Sequence, residues 1–412
     1  MNKSRLSQLF IHIKELMIGI VGWVVAVPLN SILPAKNIVI FIGRNDGRFV
    51  DNVKYMYLHM AESDDAVESY FLAESQTVYD KLRNNRLPAL LFPRLSSLFK
   101  LLQASAIVVD NAKWHNKMKY HLLKKSYKVQ LWHGVGMKRI RGDHPGVQKR
   151  MKNPLLGLYR RLSGSSQEYD LFVSTSPFYT EEVFSKAFDY KQVINSGYPR
   201  NDVLLRTPSE NDLIETDEKT MNEIKDFKKH GYKVVLYAPT FRNNGGDAFT
   251  DQYLHLDELS AFAKENKVIF IIKLHPKPDF DYQLDQYDFI LEYDNSKDVY
   301  PALSYVDMMI TDYSSIYMDY LLLNRPVLFF PYDYEEYARE NHDLTFDYNW
   351  ITPGPKAYNQ HELEREITNV VNGIDGFEEH RREIRNKAFQ QPDGHSAERV
   401  GSFIKKNYMK QK

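Results

Sequence analysis

Val306-Asp307-Met308-Met309-Ile310-Thr311-Asp312-Tyr313-Ser314-Ser315 holds the pattern on which the fold turns. A short apolar run ends at Asp312, and Ser314 and Ser315 precede a helix-like stretch from Ile316 to Leu323. A second apolar run, Val327 to Phe330, follows at once. Strand, helix and strand at this spacing make a βα unit whose parallel strands are covered on both faces. Ser is a favoured N-cap, and the free N–H groups of a helix start bind phosphate. Ser314 and Ser315 therefore read either as phosphate-binding residues or as simple helix caps.

The same alternation runs outward in both directions. Ile38 to Ile42 is the first apolar run and is followed by the turn-like Gly43, Asn45, Asp46 and Gly47; Ala106 to Asp110, Val129 to Trp132 and Leu171 to Ser174 repeat it. A second set comprises Val234 to Ala238, Val268 to Leu274, Phe289 to Tyr293, Met308 to Thr311 and Val327 to Phe330. The polar stretch Thr207 to His230 separates the two sets and reads as the interdomain connection. The expected fold class is α/β, with two doubly wound domains facing a cleft and ligands at the carboxyl ends of the strands. The expected divisions are an N-terminal segment (1–35), a first Rossmann-like domain (36–206), a second Rossmann-like domain (231–375) and a C-terminal helical segment (376–412).

At 412 residues, 43% hydrophobic and 26% charged, the chain suits two domains with proper cores. Lys+Arg and Asp+Glu both number 54, a formal net charge of +0 that argues against a general nucleic-acid binder. Cys is absent, which removes disulfides, thiolate metal sites and a Cys nucleophile. His spacing supports no metal site, and Asp279-Phe280-Asp281, although of DxD form, follows a Lys-Pro turn and reads as a solvated loop. Neither a GxxxxGK[ST] loop nor a GxGxxG fingerprint is present.

Leu6, Leu9, Phe10, Ile13, Leu16, Met17 and Ile20 mark one apolar face of an N-terminal helix, with Ser7, Gln8, His12, Lys14 and Glu15 opposite. No residue from Leu16 to Ala35 is charged, a run that would reach roughly 30 Å if helical. Gly19, Gly22, Pro28, Asn30 and Ser31 weaken an uninterrupted span. A helix lying in the membrane interface fits the amphipathic start better than a crossing or a cleaved signal peptide.

Two His residues end strands. Trp132-His133-Gly134 follows Val129 to Leu131, and neutral imidazole is the usual proton acceptor near pH 7. His133 taken alone reads equally as a structural residue. Lys138 and Arg139 follow in a basic stretch able to meet an anionic acceptor. In Ile271-Ile272-Lys273-Leu274-His275-Pro276, Pro276 stops the ladder and puts His275 at the strand end, with Lys273 on the same side by period-two geometry. Arg242 closes Tyr237-Ala238-Pro239-Thr240-Phe241-Arg242 and suits bidentate phosphate binding. Gly197-Tyr198-Pro199-Arg200-Asn201-Asp202 is a turn expected to line the cleft.

Taken together, LWHGVGMKR, GYPRND, YAPTFR, IIKLHP and TDYSSIYMDYLLLNRPVLFF, in this order over roughly Lys128 to Asp333, resemble the CDP-glycerol glycerophosphotransferase family of teichoic acid and capsule synthesis. His395-Ser396-Ala397-Glu398-Arg399 is similar to that family's closing motif. The resemblance implies a GT-B architecture of two Rossmann-like domains at the cytoplasmic face of the bacterial membrane, peripheral or monotopic. It makes His133 the general base, with His275 and Arg242 on the donor pyrophosphate. Lys273, Asp312, Ser314 and Ser315 then belong to the donor site, and Gly134, Lys138, Arg200 and Asn201 to the acceptor site. The implied partners are CDP-glycerol or CDP-ribitol, a lipid-linked or capsule-saccharide acceptor and the membrane surface, with no metal, cofactor or nucleic acid. The chain reads as a catalytic unit alone, which favours a primase or short polymerase. A UDP-sugar glycosyltransferase or epimerase and a non-catalytic membrane scaffold are the readings from other classes.

Overall fold

The computed structural model describes residues 17, 20, 22, 24–63, 66–112, 114–115, 119–140, 168–240, 248–249, 252–274, 282–334 and 344–409. Among these the strands form two sheets, and every pairing is parallel. The first contains β1 (Lys36–Ile42), β2 (Glu68–Ala73), β3 (Ala89–Leu91), β4 (Ala104–Val109), β5 (Tyr127–Gln130), β6 (Tyr169–Ser174) and β7 (Tyr190–Asn195), in the order β3-β2-β1-β4-β5-β6-β7. The second contains β8 (Lys233–Tyr237), β9 (Val268–Ile272), β10 (Ile290–Glu292), β11 (Met308–Thr311) and β12 (Val327–Phe329), in the order β10-β9-β8-β11-β12. Ala-Ser-Ala-Ile-Val-Val in β4 and Val-Ile-Phe-Ile-Ile in β9 are buried throughout, as strands covered on both faces must be.

Both orders reverse once, between β1 and β4 and between β8 and β11. The loops leaving two such neighbouring strands turn away to opposite sides, which opens a crevice at their carboxyl ends. The sites described below sit at these two positions.

The chain divides into two compact units. One comprises Met1–His133, Ile140–Arg200 and His395–Lys412; the other comprises Gly134–Arg139 and Asn201–Gly394. The C-terminal helix Ser396–Tyr408 therefore belongs with the first sheet. Gly401 lets it close on the helix Asp51–Glu62, since a Cβ there would stand 3.1 Å from Met60 Sδ. The helix Glu218–Lys229, inside the stretch read as a connection, belongs to the second unit and buries Met221 and Ile224. Its Lys228 ammonium bonds the Asp307 carboxylate at 2.8 Å, just ahead of β11.

The apolar runs of the sequence recur as β1, β4, β5, β6, β8, β9, β10, β11 and β12. Three strands went unread because their residues do not look buried. β7 lies at a sheet edge with Lys191 and Gln192 exposed, β3 has three residues, and β2 opens on polar Glu68 and Ser69. The run read as Val129 to Trp132 stops at Gln130, because Trp132 takes φ 58° and leaves the ladder.

Residues 24–32 are helical. Gly22, Ala26 and Asn30 turn inward, and a Cβ at Gly22 would lie 2.7 Å from the His121 ring. Asn30 Nδ2 donates to the His121 carbonyl at 2.6 Å, and the Lys125 ammonium bonds the Leu33 carbonyl at 2.6 Å. A cation at the carbonyl end is the favoured C-terminal arrangement. Met17, Ile20, Val24, Val25, Leu29 and Ile32 are exposed at helical spacing. No helix among the described residues is long and apolar enough to cross a membrane. Leu6 to Leu16 lie outside the described residues.

Candidate active site

In the first unit, β1, β4 and β5 deliver the loops that hold His133. Gln130, at the end of β5 and fully buried, accepts from Trp132 N at 2.8 Å and donates to the Asn111 carbonyl at 3.2 Å. That staple and the left-handed Trp132 backbone turn the chain so that His133 meets the end of β4. A non-glycine residue in the left-handed region costs roughly 1–3 kcal/mol and persists only where its surroundings hold it.

His133 Nδ1 lies 2.9 Å from the Asp110 carbonyl oxygen. A carbonyl can only accept, so Nδ1 carries the hydrogen and the neutral ring keeps its lone pair on Nε2. Burial depresses the His133 pKa below its ordinary value; the Asp110 carbonyl and the Asp51 charge oppose this, and Arg44 and Arg200 add to it. His133 is half-buried and held in the neutral, proton-accepting form at neutral pH.

Three further groups, Asp51, Asn52 and Asp110, complete this site. Asp51, at φ 64° on the first turn of the helix Asp51–Glu62, is 3% exposed. Its carboxylate accepts from Arg200 Nη1 at 2.5 Å and pairs with Arg44 Nη2 at 2.7 Å. Burial alone would raise its pKa, but the guanidinium groups of Arg200 and Arg44 outweigh burial and hold it at about 2. Asn52 donates to the Trp132 carbonyl at 3.0 Å and accepts from Arg200 N at 3.1 Å. Asp110 is fully buried, and burial followed by the Asp51 charge pushes its carboxyl up to about 7. In sequence, Asp110 was visible as a strand end and Gly43 to Gly47 as a turn. Asp51 and Asn52 looked like any polar helix start, because only tertiary contacts bury them.

Arg200, expected on the acceptor, is 3% exposed and donates to both Asp51 and the His133 carbonyl, the latter at 2.9 Å. Its guanidinium also lies 5.5 Å from the Tyr198 ring centroid. The closing motif supports this turn: Arg399 Nη2 donates to the Ser196 carbonyl at 2.9 Å.

In the second unit, the carboxyl ends of β8 and β11 are tied by Asp312, which is 1% exposed. Its Oδ1 accepts from Thr240 N at 2.8 Å and from Tyr313 N. Thr311 Oγ1 donates to the Ala238 carbonyl at 2.7 Å across the same junction. Ser314 is half-buried and Ser315 exposed. Ser315 occupies the N-cap position of Ile316–Tyr320, yet its side chain makes no capping bond, so the simple-cap reading of that residue does not hold. Gly136 approaches this turn so closely that a Cβ would stand 3.0 Å from Ser315 Cβ. Gly134, at φ 141°, starts the segment, and Lys138 ends it with Nζ 3.4 Å from Thr240 Oγ1. Lys138, also expected on the acceptor, thus stands beside the Asp312 junction.

Lys273 Nζ reaches the Asp294 carbonyl at 3.3 Å and the Tyr293 ring at 5.0 Å. Asn201 is 4% exposed, and neither its side-chain nitrogen nor its oxygen has a hydrogen-bond partner among the described residues. Arg242 and His275 lie outside the described residues, as does Asp279-Phe280-Asp281. Among the described residues, no group of His, Asp and Glu is arranged to hold a metal ion.

A teichoic acid poly(glycerol phosphate) polymerase of Staphylococcus epidermidis is 28% identical over 291 residues, 69% of this chain and 39% of that protein. The chain thus spans about two fifths of that relative's length. A teichoic acid glycerol-phosphate transferase of Staphylococcus aureus is 25% identical over 91% of this chain and 95% of its own. The solved structure of the wall teichoic acid polymerase TagF superposes over 99% of this chain and 98% of its own with TM-score 0.73 at 20% identity, a likeness of fold. Residues 25–406 match the CDP-Glycerol:Poly(glycerophosphate) glycerophosphotransferase family, and the chain belongs to that family, as its motifs indicated.

Proposed function

We propose that the protein transfers glycerol phosphate from CDP-glycerol to an acceptor hydroxyl in teichoic acid synthesis, with CMP as the leaving group. The observation that carries this reading is the His133 tautomer: with Nδ1–H given to the Asp110 carbonyl, Nε2 is the atom that takes the acceptor's proton. The freed oxygen bonds the β-phosphorus, the bond from that phosphorus to the bridging oxygen breaks, and CMP departs with the electron pair. Such a step needs position and charge stabilisation more than covalent participation. The donor is assigned to the β8–β11 junction, with Asp312 organising the turn, Ser314 and Ser315 on the phosphates, and Lys273, Arg242 and His275 as further donor groups.

Lys138 we also assign to the donor, because its ammonium stands beside Thr240 and the Asp312 junction. Lys138→Gln is expected to raise the KM for CDP-glycerol at least tenfold with little change in the KM for acceptor. The opposite pattern would return Lys138 to the acceptor. Gly134 and Asn201 are left to the acceptor, whose chemistry is a lipid-linked or saccharide hydroxyl. The two units are assigned as the halves of a GT-B architecture. The exposed stripe Met17, Ile20, Val24, Val25, Leu29 and Ile32 suits a helix lying in the interface of the cytoplasmic membrane leaflet.

The protein incubated separately with CDP-glycerol, CDP-ribitol and UDP-sugars, with membrane extract as acceptor, decides the reaction class. CMP released from CDP-glycerol is the expected result. CMP from CDP-ribitol alone would transfer the reading to the five-carbon donor. UDP in place of CMP would overturn it in favour of a glycosyltransferase or epimerase, and binding without release in favour of a scaffold.

A further inference from the structure

We propose that Asp51, together with Asn52, is the positioning residue of the His133 base. This rests on the transferase reading above and deepens it. Four hydrogen bonds carry the argument. Asp51 clamps Arg200 Nη1 at 2.5 Å, and the same nitrogen donates to the His133 carbonyl at 2.9 Å. Asn52 clamps the preceding carbonyl, that of Trp132, at 3.0 Å, and receives Arg200 N at 3.1 Å. The two carbonyls flanking His133 Cα are therefore held from one helix start, that of Trp132 by Asn52 directly and that of His133 by Arg200, which Asp51 clamps. Their bonds also converge on the turn that carries Arg200.

The sequence reason is a pair of left-handed residues facing each other. Trp132 at φ 58° aims its carbonyl at Asn52, and Asp51 at φ 64° turns its carboxylate toward the arginines. Neither conformation is comfortable for a residue with a side chain, and the shared hydrogen bonds hold both. Because Asp51, Asn52 and Arg200 are all at most 4% exposed, the clamp is stiff and dry. Geometry held this way is what a general base needs to meet a hydroxyl within hydrogen-bond reach.

The clamp is also charged, which separates it from mere scaffolding. The charged and titratable groups acting on His133 are Arg44 from the loop after β1, Asp51 from the helix start, Arg200 from the turn after β7 and Asp110 from the end of β4. Asp51 favours the imidazolium, and Arg44 and Arg200 oppose it. Removing the Asp51 charge must therefore lower the pH at which His133 protonates, and removing Arg44, which is 36% exposed and dispensable to the core, must raise it.

The test is an NMR titration of the imidazoles in the full chain, with His133 identified by the signal missing from His133→Ala. In Asp51→Asn, which keeps the side chain's shape, the His133 midpoint is expected to fall, and in Arg44→Gln to rise. kcat for CMP release is expected to drop tenfold or more in Asp51→Asn with the donor KM little changed. Asn52→Leu is expected to lower kcat comparably while leaving the midpoint in place. A midpoint that does not move in folded Asp51→Asn overturns the proposal whatever happens to turnover, since the Asp51 carboxylate would then not act on the His133 ring. If Asp51→Asn does not fold, an unmoved midpoint in Arg44→Gln overturns it instead. The titration needs no turnover, so the outcome stands apart from the donor assays that decide the reaction itself.

Discussion

His133→Ala is expected to release CMP from CDP-glycerol about 100- to 10,000-fold more slowly than the parent protein, the usual worth of a general base. That is a loss of roughly 3–5.5 kcal/mol of transition-state stabilisation. The fold should survive, because His133 is half-buried at the end of a loop and its side chain contributes one hydrogen bond, to the Asp110 carbonyl. The KM for CDP-glycerol should change little, since the proposed donor groups lie at the β8–β11 junction. The parent's pH profile supplies a second reading. Burial, then the charges of Arg44 and Arg200, lower the pKa of His133, so the base stays neutral through pH 7. Activity is lost only as pH falls through that lowered value, and the acid limb of kcat/KM should lie below the ordinary imidazole value of about 6.5. A variant with near-parental turnover, or an acid limb well above 6.5 that persists in His133→Ala, would remove His133 from the mechanism.

Nearly all of the second sheet was legible in the sequence, because its strands are short apolar runs bounded by turn residues. Met308–Thr311 was read to the residue. In the first sheet the buried strands β1, β4, β5 and β6 were equally plain, whereas the edge strand β7 was not. An edge strand buries little, so its sequence stays polar and loses the signal on which periodicity depends. The candidate site was legible where a polar residue closes an apolar run, as His133 and Asp312 do. It was not legible where ordinary residues acquire a role by burial. Asp51, Asn52 and Asp110 are unremarkable in sequence, and what distinguishes them is a set of partners 23 to 149 positions away. The same limit applies to Arg200, a basic residue in a turn whose burial against Asp51 and the His133 carbonyl only tertiary contacts reveal.

The largest stability effect is expected at Glu74 and Lys119, an ion pair whose side chains are 5% and 4% exposed. Glu74→Leu leaves the Lys119 ammonium in a dry setting with the Phe92 ring 5.8 Å away, and a buried charge stripped of its counter-ion costs about 3–5 kcal/mol. For a unit of this size the melting temperature should fall by roughly 10 °C. The double change Glu74→Leu with Lys119→Met should recover most of the loss, because an apolar pair of similar volume replaces a buried ion pair at little net cost. Thermal unfolding followed by circular dichroism measures both, and a double variant as unstable as the single one would contradict the argument. The pair matters beyond stability. It joins the carboxyl end of β2 to the helix Lys119–Leu122, and that helix presents His121, on which Gly22 and Asn30 seat the N-terminal helix. Near-normal CMP release per folded molecule from a soluble acceptor, with weakened binding to vesicles, is therefore the expected behaviour of Glu74→Leu. Equal losses in both assays would mean that the pair braces the His133 site as well as the N-terminal helix.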